Sequence, residues 1–282
     1  MPKLPLNPMS VWGVVKELRT AAGDFRPLLV AGAPQHAGAI RTALVEGGDP
    51  NAVRDLSGGP PTPYDLEGAR VLVHAVDGPH PAEEDEKVLR LAGRKDVEVV
   101  CVLVGVRPDE VPDVPNVPAT DVVAVAPGEE LPIAEIAERV AERADDTSHQ
   151  LAARLPALRP AVVESIVKGF SVQNGVLGVA IFIPGADFPV LTLNQIRMVL
   201  RIAAAHGEEL DRQSALEVLS VVGAGLGFRS ISRQLAALVP GLGWAVKGGI
   251  AYAGTRAVGE AAAAFFAAGG TRGLGESVRS RS

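Results

Sequence analysis

Gly32, Gln35, His36 and Gly38 stand where a phosphate-binding loop would stand, in the stretch Gly32-Ala33-Pro34-Gln35-His36-Ala37-Gly38-Ala39 after an apolar run. Such a loop needs Gly, four residues, Gly, Lys and then Ser or Thr, so that backbone amides, an ammonium and a hydroxyl converge on phosphate and magnesium. Here Ala37, Gly38 and Ala39 take the places of the second glycine, the lysine and the hydroxyl residue. The phosphate charge then meets no cation and a magnesium ion loses its usual protein ligand. The four residues are therefore degenerate phosphate-loop positions, with no cofactor expected at them, and Gly32 and Gly38 serve a tight strand-to-helix turn.

No other residue set replaces that chemistry. His36, His74, His80, His149 and His206 include no pair at ligand spacing on one helix, so no metal site is expected. His74 lies inside an apolar run and reads as a hydrogen-bonded core or edge residue. Ser165, Ser171 and Ser220 lack the strained Gly-x-Ser-x-Gly setting of a hydrolase nucleophile. Cys101 sits in a later apolar run, Val97 to Val106, where a thiol is inert packing. The acids Glu83 to Glu86 open a helix and complement its dipole. No catalytic residue is assigned.

The elements that must position these residues alternate at crossover spacing. Ser10 to Ala22 suits a short amphipathic helix, and Pro27 to Gly32 a buried parallel strand. Gly38 to Glu46 reads as helix, and Gly48 to Pro63 as turns. Arg70 to Val76, Val97 to Val106 and Asp121 to Ala126 read as strands, with helices over Pro81 to Leu91 and Ile133 to Ala144. Strand and helix in this order predict an α/β parallel sheet, with ligands at the carboxyl ends of the strands.

From Leu151 onward apolar residues recur at helical spacing, and an all-α domain is expected. Pro156, Pro160, Pro184-Gly185 and Pro240-Gly241 are its breaks. Leu235 to Gly254 is apolar or small almost throughout, interrupted by Lys247, and a lysine at mid-span costs roughly 2.5 to 3.5 kcal/mol on insertion scales. Gly241, Ala245, Gly249 and Ala253 recur every four residues and would let two helices approach closely. A snug seam in a helical bundle and a membrane-inserted or membrane-docked hairpin both fit this stretch.

Composition bounds the whole. The chain has 282 residues, 47% hydrophobic and 21% charged, too apolar for a disordered protein. The single cysteine excludes a disulfide framework, and with no secretory leader evident the expected compartment is the cytoplasm. Residues 1 to 150 hold 14 Lys/Arg against 25 Asp/Glu, a balance of −11, whereas residues 151 to 282 hold 13 against 8, a balance of +5. That shift predicts a boundary near residue 150: an N-terminal helix over 1–26, the α/β domain over 27–147, the helical domain over 148–270 and a flexible basic tail over 271–282. With no basic stripe interleaved with aromatics, nucleic acid is not an expected partner. The basic half suits an anionic membrane surface or the acidic half itself.

Over residues 27 to 145 the order of elements resembles the Era-like small GTPases with each diagnostic motif eroded. Val71 to Asp77 is similar to that family's strand ending in aspartate. Val99 to Val104 is similar to the strand before its guanine-reading Asn-Lys-x-Asp motif, followed here by Gly105-Val106-Arg107-Pro108, so the aspartate is missing at the expected spot, with Asp109 nearby. Asp65-Leu66-Glu67-Gly68 has the letters of the switch motif Asp-x-x-Gly but precedes the second apolar strand. Over residues 160 to 268, Ala186-Asp187-Phe188-Pro189, Leu193 to Val199, Val239 to Gly243 and Gly254 to Gly259 resemble the YcjF-like helical domain of unknown function. Together the resemblances imply a degenerate P-loop GTPase-like sheet, a pseudo-GTPase, joined to a helical domain. The expectation is a non-enzymatic scaffold or regulatory protein that works through a protein partner, either a GTPase or a helical membrane protein, at the inner membrane or as a homo-oligomer. The alternatives are a divergent GTP-binding protein with slow hydrolysis and a membrane-inserted helical component.

Overall fold

Continuous apolar runs bounded by glycine become strands buried on both faces, and the amphipathic stretches between them become the helices that cover those faces. In the computed structural model of the chain, residues 8–23, 25–180, 188–210, 215 and 244–270 are described. The chain divides into two compact units, one of Asp24–Val162 and one of Met1–Gly23 with Val163–Ser282.

The first unit holds a five-stranded, all-parallel sheet: β1 (Leu28–Gly32), β2 (Val53–Asp55), β3 (Val71–Asp77), β4 (Glu98–Val104) and β5 (Val122–Val125), in the order β2-β1-β3-β4-β5. Its helices are α2 (Pro34–Val45), α3 (Glu83–Arg94), α4 (Ile133–Ala144) and the short α5 (Ser148–Arg154). Register pairs Leu29 with Leu72 and His74 with Cys101. One face of the sheet, Leu29, Leu72, Val76, Cys101 and Leu103, buries against Val88, Leu89 and Ala92 of α3. Helices α2 and α4 pack on β1, β3 and β4 and on each other, placing Ile40, Leu44, Ile136 and Val140 in full burial. Helix α4 buries positions 136, 137, 140, 141 and 144, the stripe that its 3.6-residue period dictates.

Three expectations are corrected here. Strand β2 lies inside the segment read as turns; its three residues are too short to show a period, and only the edge of an existing sheet makes them a strand. Helix α2 begins at Pro34 instead of Gly38, because proline fixes φ for a first helical turn. The α/β unit extends past residue 150. Leu151, Ala152, Leu155 and Leu158 are buried, α5 packs on α4, and the Pro156–Leu158 turn packs on α2 and α4. There Arg154 takes Asp49 N–H on its carbonyl at 2.9 Å, pairs with the Asp49 carboxylate at 3.5 Å, and stacks over Phe25 at 3.7 Å. Charge composition changes at 150, but the apolar residues that close this core continue beyond it.

Helix α3 is tied to the sheet by one polar contact. Asp85 in its first turn lies 2.8 Å from Nε2 of His74, which is 1% exposed, and also accepts the Ala82 N–H at 2.9 Å. Those bonds hold the Asp85 carboxyl below its ordinary value of 3.8. A carboxylate with a depressed folded pKa contributes stability that is fully present above the unfolded value and is lost as pH falls through the folded one. The wild-type chain is therefore expected to lose stability below about pH 4 more steeply than Asp85→Asn, as chemical denaturation across pH 5 to 2.5 would show; parallel curves would remove the contact from the acid response. Burial and the same carboxylate push the Cys101 thiol up to about 12, consistent with an inert core residue.

The regular elements described in the second unit are helices: α1 (Pro8–Gly23), most of α6 (Arg159–Ala180), α7 (Phe188–Ala205) and α8 (Trp244–Ala267). Helix α7 packs against both α1 and α8. The expected basic tail 271–282 and all of Leu235 to Gly243 lie outside the described residues.

Candidate functional site

Strand order reverses at β1, whose neighbours β2 and β3 lead to opposite sides, and the crevice beyond the carboxyl ends of these strands is where an open α/β sheet takes a ligand. The residues offered there are set by how each strand ends. Gly32, Gly78, Gly105 and Gly128 all have φ between +81° and +97°, so the chain turns sharply off β1, β3, β4 and β5. The sheet ladder continues into these turns, with Ala33 N–H donating to Ala75 O, Gly78 N–H to Val104 O and Gly105 N–H to Val125 O, each at 2.8 Å.

After Gly32 only Ala33 separates strand from helix. His36 N–H and Ala37 N–H both donate to Ala33 O, Ala33 N–H donates to Ala75 O and Pro34 has no N–H, so four of the five positions from Ala33 to Ala37 offer no free amide to a phosphate. Gln35 and His36 sit on the first turn of α2. Gln35 Nε2 is 3.2 Å from His36 Nε2, which in turn lies 3.8 Å from the carboxylate of exposed Asp77. Gly38 is inside the helix, with its carbonyl accepting the Thr42 hydroxyl at 2.8 Å. The structure thus brings Gly32, Gln35 and His36 to the crevice and leaves Gly38 a helix residue.

Sequence reasoning missed one loop at this edge. Strand β2 ends at Asp55, and Asp55-Leu56-Ser57-Gly58 has Asp-x-x-Gly spacing directly at a strand end beside β1. Those four letters were the available signal. Asp55 is engaged locally: it accepts Ser57 N–H at 2.9 Å and Ser57 Oγ at 2.6 Å, which hold its carboxyl below the ordinary value. The Thr62 to Asp65 segment is a separate closed turn, Asp65 accepting Thr62 N–H at 2.8 Å and its hydroxyl at 2.6 Å.

The electrostatics of the edge are one-sided. Asp77, Glu83, Glu84, Asp109, Glu110, Asp113, Glu129 and Glu130 are exposed on the loops after β3, β4 and β5 and the first turn of α3. Arg107 is the basic side chain among those loops. Phosphate would approach against that field. No three His, Cys, Asp or Glu side chains converge on a metal-binding position among the described residues.

The helical unit carries a second built feature, a buried polar cluster. Asn174 of α6 donates to Thr255 Oγ1 of α8 at 2.9 Å and accepts from the Asn194 amide of α7 at 2.9 Å, while Gln195 Nε2 reaches Thr255 Oγ1 at 3.3 Å. Asn174 and Thr255 are no more than 1% exposed. Carboxamides and a hydroxyl that satisfy one another between three helices fix their mutual register, since a shift of either partner would leave a buried polar group without a bond.

Close helix approach occurs beside that cluster, one residue away from the expected seam. Gly241 lies outside the described residues, Ala245 is on α8, and Gly249 and Ala253 are exposed, with nothing within 4 Å of a Cβ built on Gly249. The packed glycine is Gly248, where a Cβ would meet Val179 Cγ2 at 2.5 Å and Gly175 O at 2.9 Å; Gly259 likewise faces Val167 and Met198. A four-residue repeat of small side chains leaves phase undecided, and Thr255, Val258 and Ala262, all buried, select the face.

The α/β unit belongs by its strand order and crevice to the doubly wound parallel class. Compared with known proteins, the chain matches no family model, no curated protein and no solved structure. Among the described residues no helix is long and apolar enough to cross a membrane.

Proposed function

We propose that the chain is a non-enzymatic scaffold or regulatory protein, in which a degenerate P-loop GTPase-like unit recognises a protein partner through the carboxyl edge of its sheet. The observation that carries this reading is the passage from β1 to α2 through Ala33 alone, which leaves no loop to cradle a phosphate. The acidic edge supports it. So does the β4 turn: against the Asn-Lys-x-Asp pattern counted from Val106, Asp109 falls at the aspartate, but the asparagine place is a buried valine and the lysine place is Arg107. Asp55 to Gly58 fits the Asp-x-x-Gly place better than Asp65 to Gly68, and Asp55 is bonded to its own turn. The YcjF-like helical unit, an all-α domain on this reading, would supply a second docking element for a GTPase or a helical membrane protein at the inner membrane.

Calorimetry of GTP, GDP and ATP with magnesium against the purified chain tests the reading. No saturable heat is expected at protein concentrations of about 100 μM, which would register a Kd in the micromolar range. Micromolar binding would overturn it in favour of a divergent GTP-binding protein and make hydrolysis the next measurement.

A further inference from the structure

Helix α6 buries Ile166, Val167, Phe170 and Asn174 on one side and leaves Val172, Val176 and Val179 on another at 50%, 63% and 39% exposure. Ser165, half-buried, and Gly169, exposed with nothing within 4 Å of an added Cβ, extend that line toward the start of the helix. The steps from 165 through 169, 172 and 176 to 179 alternate four and three, the spacing of a coiled-coil seam. None of the five is charged, and Glu164 beside them is tied to Arg256 of α8 at 3.1 Å. Exposed Gly249 and Ala253 of α8 follow Gly248 and Tyr252, which lie closest to Gly175 of α6, and add small side chains to that helix pair.

From this seam we infer that the chain dimerises by laying α6 antiparallel on α6 of a second copy, about a twofold axis at Val172. Side-chain size decides the occupant and its direction. The seam runs from small to large, so reversing it on a second copy sets Val179 opposite Ser165 and Val176 opposite Gly169, and each branched side chain meets a gap. One patch then serves both partners, as a twofold contact requires. Parallel pairing would instead set glycine on glycine and leave a void at one end. Lys168, the exposed charge at the flank, falls about 12 Å along the axis from its copy, beyond the reach of strong repulsion. Association orders little: α6 is already held helical by its buried side, and valine is stiff at χ1. A seam about 21 Å long belongs to the small, reversible class of interfaces, below about 1,200 Å² in all, so the dimer is a weak one. The contact is separate from the carboxyl-edge crevice and does not depend on the scaffold reading.

Sedimentation equilibrium of the full chain from about 1 to 300 μM reads the association directly, and a monomer–dimer equilibrium with a Kd in the micromolar range is expected. Val176→Glu should weaken it at least about tenfold by burying a charge against Gly169 of the second copy. The same change lies at an exposed position of the monomer, so circular dichroism and melting at low concentration should match the wild type. Cysteine substitutions then fix the direction, because the native Cys101 is buried. With oxidised glutathione, Val172→Cys should cross-link to its own copy across the axis, whereas Val179→Cys, about 21 Å from its copy along the helices, should not. A chain that stays monomeric to 300 μM would overturn the inference, as would a dimer that folded Val176→Glu leaves intact. Equal cross-linking at 172 and 179 would overturn the antiparallel pairing. A monomer that floats with phosphatidylcholine vesicles, and no longer does so as Val176→Glu, would give the seam to lipid instead of a second copy.

Discussion

Gly32→Ala is expected to unfold the α/β unit or lower its stability by about 4 kcal/mol or more, at the upper end for a single substitution. Two causes act together. The residue has φ +97°, a conformation that a side chain makes costly. A Cβ there would also collide with the Ala75 carbonyl oxygen, on the backbone of the adjacent strand β3, which cannot move aside without breaking the ladder to β4. Gly38→Ala is the internal control. It sits in helix α2 with nothing within 4 Å of the added methyl, and it should gain about 0.5 to 1 kcal/mol by removing glycine's backbone freedom. Thermal unfolding of the two variants therefore moves in opposite directions. A mild effect at Gly32 would show that β1 and β3 are less closely apposed than described, and the account of the missing phosphate loop would fall with it.

The second large effect is expected in the helical unit, from Gly248→Ala combined with Gly259→Ala. Each methyl enters occupied space: at Gly248 against Val179 and the Gly175 carbonyl, and at Gly259 against both methyls of Val167 at 2.7 and 2.9 Å. Overpacking of this kind costs about 1 to 3 kcal/mol per site, and valine, stiff at χ1, relieves little of it. The sites are eleven residues apart on α8, about 16 Å along the axis, so the costs should add to roughly 2 to 6 kcal/mol. Gly249→Ala, one residue from the seam and exposed, should instead be neutral or stabilising by up to about 1 kcal/mol. Denaturant unfolding of the three proteins checks the phase of the helix: a destabilised Gly249→Ala with an unaffected Gly248→Ala would return the seam to Gly241, Ala245, Gly249 and Ala253.

The residues that carry the fold differ in how openly they announce themselves. Leu28 to Gly32, Val71 to Val76, Val99 to Val104 and Val122 to Val125 are runs that only a doubly covered parallel sheet buries, so the α/β class and four strands are legible from residue order. Ile133 to Ala144 shows its helical stripe directly. The absence of lysine and hydroxyl after Gly32 is likewise a property of the chain itself, and it removes phosphate-loop chemistry before any coordinates are known. Val53 to Asp55 has no such signature, because three residues hold no period and their strand exists only through pairing with β1. The start of α2 at Pro34, which erases the loop, is favoured by that proline, but the bond from Ala33 N–H to Ala75 O of β3 forms only in the packed sheet. The choice of Gly248 over Gly249 depends on which face of α8 meets Val179 and Thr255 meets Asn174. Periodicity and motif letters act over a few neighbouring residues and are written in the sequence, whereas phase, register and the meeting of distant side chains are set by long-range contacts that form only when the chain packs.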